Sequence, residues 1–91
     1  MTVSILLPSV LAAHASGQRS FIANATTVVE ALDQLVTAYP ALATRVRDTR
    51  GDIYPFVTIY VNDDDVRLSG GLSRSLSAGD EIVIVPSVAG G

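Results

Sequence analysis

Gly79-Asp80-Glu81-Ile82-Val83-Ile84-Val85-Pro86, followed by Ser87-Val88-Ala89-Gly90-Gly91, is the stretch on which the fold turns. Glu81 to Val85 is a β-branched run, entered through the turn pair Gly79-Asp80 and stopped by Pro86, which has no N–H for a ladder. It reads as a strand with Ile82 and Ile84 on one face and Val83 and Val85 on the other. Both sets are apolar, whereas a strand wet on one side alternates more cleanly. The segment after Pro86 is too short to fold alone, and it ends in two glycines, the residues that lose most entropy on ordering. Residues 1–86 therefore read as the folded domain and 87–91 as a thin, flexible tail. A diglycine end can enter a channel too narrow for other residues, and its carboxylate has no neighbouring bulk to hinder attack. Two terminal glycines also arise by chance in about one chain in 200, so their meaning depends on the rest of the sequence.

The preceding chain supplies one helix and several strands. Thr2 to Leu7 alternates, with Val3, Ile5 and Leu7 on one face, and Pro8 closes it. Residues 9–18 read as a connection, and Arg19 to Asn24 as a second strand around Phe21 and Ile22. Thr27-Val28-Val29-Glu30 has the form of a capping box, and Val28, Leu32, Leu35 and Tyr39 then recur at helical spacing up to Pro40. Ala41 to Arg47 adds a short helical turn carrying Leu42 and Val46, and 48–52 is a polar loop. Phe56 to Val61 is an interior strand. Asn62 to Asp65 turns the chain, Val66 to Leu68 reads as a short strand, and residues 72–78 connect with Leu72 and Leu76 as anchors. The expected class is α+β, a mixed sheet of about five strands with one main helix on one face. The other face stays open, and Val83, Val85, Leu6 and Pro8 are candidates for an exposed apolar docking surface beside the tail root.

Composition narrows the function classes. A chain of 91 residues is a single domain with a thin core, aliphatic because Trp is absent and only two Phe and three Tyr are present. It contains no Cys, which excludes disulfides and thiolate metal sites. All six basic residues are Arg, scattered without a basic stripe in a chain of net charge −3, which argues against general nucleic-acid binding. Neither a secretory start nor a membrane-length apolar run is present, so the expected location is the cytoplasm. The lone histidine, His14, has no neighbouring acid and reads as surface. The run Asp63-Asp64-Asp65 lacks the spacing, the mid-loop glycine and the closing glutamate of a calcium loop and reads as a solvated turn, so no metal site is expected. With neither Lys nor Cys, the only strong nucleophile on the chain is its own terminal amine, so an activated end would not readily acylate the chain or its copies.

Val61-Asn62, Val66, Leu76, Gly79-Asp80-Glu81-Ile82, Pro86, Val88 and Gly90-Gly91 together resemble the MoaD/ThiS family of ubiquitin-like sulfur carriers. Ile59-Tyr60-Val61-Asn62-Asp63, Asp65-Val66-Arg67, Ser69-Gly70-Gly71-Leu72 and the Val88-Ala89-Gly90-Gly91 ending are most similar to its CysO subgroup from actinobacteria. The resemblance implies a β-grasp fold and a carrier that is not itself an enzyme. An adenylating partner of the MoeB/MoeZ kind would use ATP and Mg to activate the Gly91 carboxylate, and a sulfur donor would convert it to a thiocarboxylate. In the cysteine branch a PLP-dependent cysteine synthase supplies the acceptor, and a zinc peptidase releases the product. Other acceptors open to the same tail are molybdopterin, thiazole and a specialised metabolite such as a thiosugar, and a ubiquitin-like protein modifier is the alternative role. On this resemblance Gly91 carries the sulfur, Gly90 gives clearance, and Ala89 and Val88 touch the partner, with no catalytic residue and no cofactor bound by the chain. Two positions depart from the family pattern. Val85 stands where relatives often have a larger or aromatic residue, and Asp65 where some have an apolar contact.

Overall fold

The β-branched run at 81–85 becomes the middle of the sheet. The computed structural model describes residues 2–48, 50–54 and 56–86, so the expected tail 87–91 lies outside the described residues. Five strands, β1 (Thr2–Leu6), β2 (Ser20–Asn24), β3 (Val57–Val61), β4 (Asp64–Asp65) and β5 (Glu81–Pro86), form one mixed sheet in the order β2-β1-β5-β3-β4. β5 runs parallel to β1 and antiparallel to β3, and its central position explains why both of its faces are apolar. The ladder extends one residue beyond the expected stop: Pro86 pairs in register with Val57 and is the last residue of β5. A proline lacks the N–H that a ladder uses and is tolerated at the end of a strand.

Three helices, α1 (Ser9–Ala12), α2 (Val28–Ala38) and α3 (Ala43–Val46), accompany the sheet, and α2 supplies the main cover of one face. α2 contributes Val28, Ala31, Leu32 and Leu35 to a core completed by Val3, Ile5, Ala23, Val57, Ile59, Val61, Ile82 and Ile84. These are the alternate residues of each strand, as the two-residue period demands. Phe21 and Tyr39 close one side of the core with rings meeting edge to face at 6.0 Å.

Local chemistry sets the helix start. Thr27 Oγ1 accepts from the Glu30 N–H at 3.3 Å, as the capping box requires. The reciprocal bond falls one residue earlier than the motif predicts: Glu30 Oε1 accepts from the Thr26 hydroxyl at 2.7 Å and the Thr26 N–H at 2.8 Å. The Thr26 hydroxyl, followed by its N–H, holds the Glu30 carboxyl below the usual glutamate range. The 72–78 connection straps across this helix end, with Val28 N–H donating to the Arg74 carbonyl and Leu76 N–H to the Thr26 carbonyl. Leu76 is buried there as the expected anchor, and Leu72 packs partly buried against the core.

Two segments differ from expectation. Residues 9–18 are not a plain connection, because Ser9–Ala12 winds into α1, capped from Pro8 and fixed by burial of Leu11 and Ala12. Val66 to Leu68 is a single 3-10 turn rather than a strand, and the strand pairing with β3 is Asp64–Asp65. Asp65 Oδ1 accepts from Arg67 N–H at 2.8 Å, a side-chain bond to the backbone two residues on that bends the chain out of extension. Val66 alone points inward, while Leu68 is 86% exposed.

Candidate functional site: the open sheet face at the tail root

A β5 register set by local bonds positions the open face. Gly79 takes φ of 85°, a conformation glycine enters without cost, and its N–H donates to the Thr2 carbonyl at 2.9 Å. Asp80 then accepts from Ser77 N–H at 2.7 Å and from Asn62 Nδ2 at 2.8 Å, and the Asn62 side-chain oxygen accepts from Glu81 N–H at 3.0 Å. Those bonds, Ser77 N–H first and then Asn62, hold the Asp80 carboxyl below the ordinary aspartate range. Asn62 can serve this role because Asn62 and Asp63 form a tight turn with φ of 49° and 75°, left-handed values that asparagine and aspartate tolerate. The turn after β3 and the turn before β5 thus lock together.

With register fixed, the side of the sheet away from α2 carries a cross-strand row. Leu6 pairs with Val83, and Val83 with Tyr60. Leu6, Val83 and Tyr60 are half-buried, Val85 lies opposite Thr58 and is 42% exposed, and Ile22 opposite Ser4 is 62% exposed. Three of the four proposed docking residues, Leu6, Val83 and Val85, therefore share one face. Pro8 lies past the end of β1 as the N-cap residue of α1 and belongs to none of the strands that form that face. Sequence reasoning missed Tyr60 and Ile22. Tyr60 alternates with Ile59 and Val61 and could be placed on the outer side, but only the β3–β5 register puts it beside Val83.

Asp65 faces Tyr60 from the edge strand, and its carboxylate is engaged by the Arg67 N–H. In the same acidic run Asp64 pairs with Arg74 at 3.5 Å. Among the described residues no group of three or more His, Asp or Glu side chains is arranged to hold a metal ion. Val88, Ala89, Gly90 and Gly91 lie outside the described residues. Pro86, the last described residue, ends β5 opposite Val57, on the parity opposite Val85. No helix among the described residues is long and apolar enough to cross a membrane.

Residues 5–91 match the family model described as the ThiS family. The sulfur carrier protein CysO of Mycobacterium bovis is 40% identical over 93 residues, covering all of both chains. The small archaeal modifier protein 1 of Haloferax volcanii is 38% identical over 65 residues, 71% of this chain and 70% of that one. Among solved structures, the Amycolatopsis orientalis BexX/CysO complex contains a chain that superposes with a TM-score of 0.89 at 36% identity, covering 98% of this chain and 99% of that one. The mixed five-stranded sheet covered by α2 is thus the β-grasp, ubiquitin-like fold. On these grounds the chain belongs to the ThiS/MoaD family, among the small ubiquitin-like sulfur carriers rather than the enzymes.

Proposed function

We propose that the Gly91 carboxylate is the working group of this carrier and that the open face of the sheet docks the enzymes that act on it. The carboxylate attacks the α-phosphorus of ATP, held with Mg by an adenylating partner, and pyrophosphate leaves. A sulfur donor then displaces AMP from the acyl-adenylate and leaves a thiocarboxylate. Gly90 provides clearance in the partner's channel, and Val88 and Ala89 provide small apolar contacts. The carried sulfur serves cysteine formation in the cytoplasm, with a PLP-dependent synthase accepting it and a zinc peptidase releasing the product. The chain itself binds no cofactor in this cycle.

The observation that supports this reading best is the continuity of the apolar face with the strand that leads to the tail. Leu6, Val83, Tyr60 and Val85 offer a partner an apolar row, flanked by the acidic Asp65 and Glu81, on the strand that leads to the segment it must thread. The end-to-end identity to a sulfur carrier named CysO supports the cysteine branch. The test is pyrophosphate exchange into ATP by the cognate adenylating enzyme, dependent on this chain. The full chain should support exchange, and a chain lacking Gly90 and Gly91 should not. Equal exchange with both would contradict the reading.

Similarity to a small archaeal modifier protein favours a second reading, attachment of the same activated end to amines of target proteins. Since the chain contains no Lys, conjugates would carry single copies without side-chain-linked chains. A ladder of covalent adducts that requires Gly91 would support it, and free carrier alone in active extract would count against it.

A further inference from the structure

Strand alternation gives the tail root two sides, and the side opposite Val85 carries a groove of about 400 Å³ with Pro86 in its wall. Its other walls come from α1 and the turn that follows it, through Val10 and His14, from α3, through Arg45, and from the segment entering β3, through Tyr54 and Phe56. Three of the six large hydrophobic residues exposed among the described residues line it: Val10 at 57%, Phe56 at 56% and Tyr54 at 38%. The Tyr54 and Phe56 rings lie 6.0 Å apart and tilted. Tyr54 is held through its backbone, its N–H donating to the Val46 carbonyl while its carbonyl accepts from Val57 N–H and Arg67 Nη2, each at 2.9 Å. This wall is built, not loose.

We propose that the groove is a second docking subsite for the activating partner and receives an apolar side chain with a carboxylate close to it in the partner's chain. The proposal rests on the reading of Gly91 as the activated end. Five residues follow Pro86, and fully extended they reach about 17 Å. An enzyme that acts on Gly91 therefore brings its body to both sides of Pro86, and the open face accounts for only one of them. The apolar walls call for an apolar occupant, since burying exposed rings and a valine favours association. Charge decides the rest. Arg45 makes no ion pair among the described residues, whereas Arg47, Arg50 and Arg74 each pair with an aspartate. No Asp or Glu is among the residues that line the groove, so Arg45 makes it a positive spot on a chain of net charge −3, complementary to a carboxylate. The open face has no comparable cation in the Leu6-Val83-Tyr60 row, so the groove would add orientation as well as area.

The test is the same carrier-dependent pyrophosphate exchange, with the full chain and the cognate adenylating enzyme at low salt. Arg45→Glu is expected to raise KM for the carrier about tenfold with kcat within twofold, Arg45→Lys to stay near the parent, and Phe56→Ala to raise KM about fivefold. Val10→Asp repeats the test from the α1 wall should Phe56→Ala lose its fold. An active parent with unchanged KM in Arg45→Glu and either wall variant would overturn the groove proposal and leave the reading of Gly91 standing. An inactive parent would overturn both. Unchanged KM together with a concentration-dependent dimer abolished by Arg45→Glu would give the groove to a second copy of this chain and also overturn the proposal.

Discussion

Asp80 does at the residue scale what the sequence motif around it only hints at. Its carboxylate ties the turn before β5 to the turn after β3 through Ser77 and Asn62, so the register of the central strand depends on an ionised side chain. Its folded pKa is depressed, so its contribution is complete above the unfolded aspartate value and is lost as pH falls through the lower folded value. Thermal melts of the parent should therefore lose stability below about pH 4, and Asp80→Asn should flatten part of that dependence. A variant whose pH profile parallels the parent's over this range would show that Asp80 is not a source of the effect. A second residue-scale prediction concerns Val83, at the centre of the row between Leu6 and Tyr60. Val83→Arg sets a charge on the open face while the buried parity of β5 is untouched, so the melting temperature should hold within a few degrees. Carrier KM in the exchange assay should rise by tenfold or more. An unchanged KM would remove the open face from the docking account.

β5 is the element on which both packing and function converge. Ile82 and Ile84 are fully buried against the core on one side, while Val83 and Val85 present the open face on the other. Ile84→Ala should cost about 2–4 kcal/mol in a denaturant melt, the range for removing a buried aliphatic side chain whose cavity cannot collapse completely. A loss below about 1 kcal/mol would mean that this end of the sheet relaxes more freely than its burial implies. Elements governed by local signals were legible in the sequence. The Thr27 cap, the stripe of α2 and the alternation of β1, β3 and β5 are written in nearest neighbours. Those governed by competition were not. Val66 to Leu68 has strand-like composition, but the Asp65 side chain captures the Arg67 N–H and turns it. Ser9–Ala12 is too short to carry a helical period, and its helix is stabilised by burial of Leu11 and Ala12.

Over the whole molecule, the grouping of Leu6, Val83 and Val85 could be anticipated because the parity of each strand is local. Tyr60 required the pairing of β3 with β5, and the groove required α1, α3 and the β3 entry to meet at one end of the sheet, a tertiary fact with no sequence period. Among the described residues, five of the six large exposed apolar side chains lie on the open face or in the groove, at Ile22, Val85, Val10, Tyr54 and Phe56, and the sixth, Leu68, is not in the groove. On the proposed reading the open face and the groove are surfaces for partners, and the bond-making is left to them. The most direct test of that account is the intact mass of the chain after incubation with ATP, magnesium, its cognate adenylating enzyme and a sulfide source. The account predicts a gain equal to one oxygen-to-sulfur exchange, localised to Gly91 by fragmentation and absent when ATP is omitted. An unchanged mass, in a mixture that converts another carrier, would contradict it.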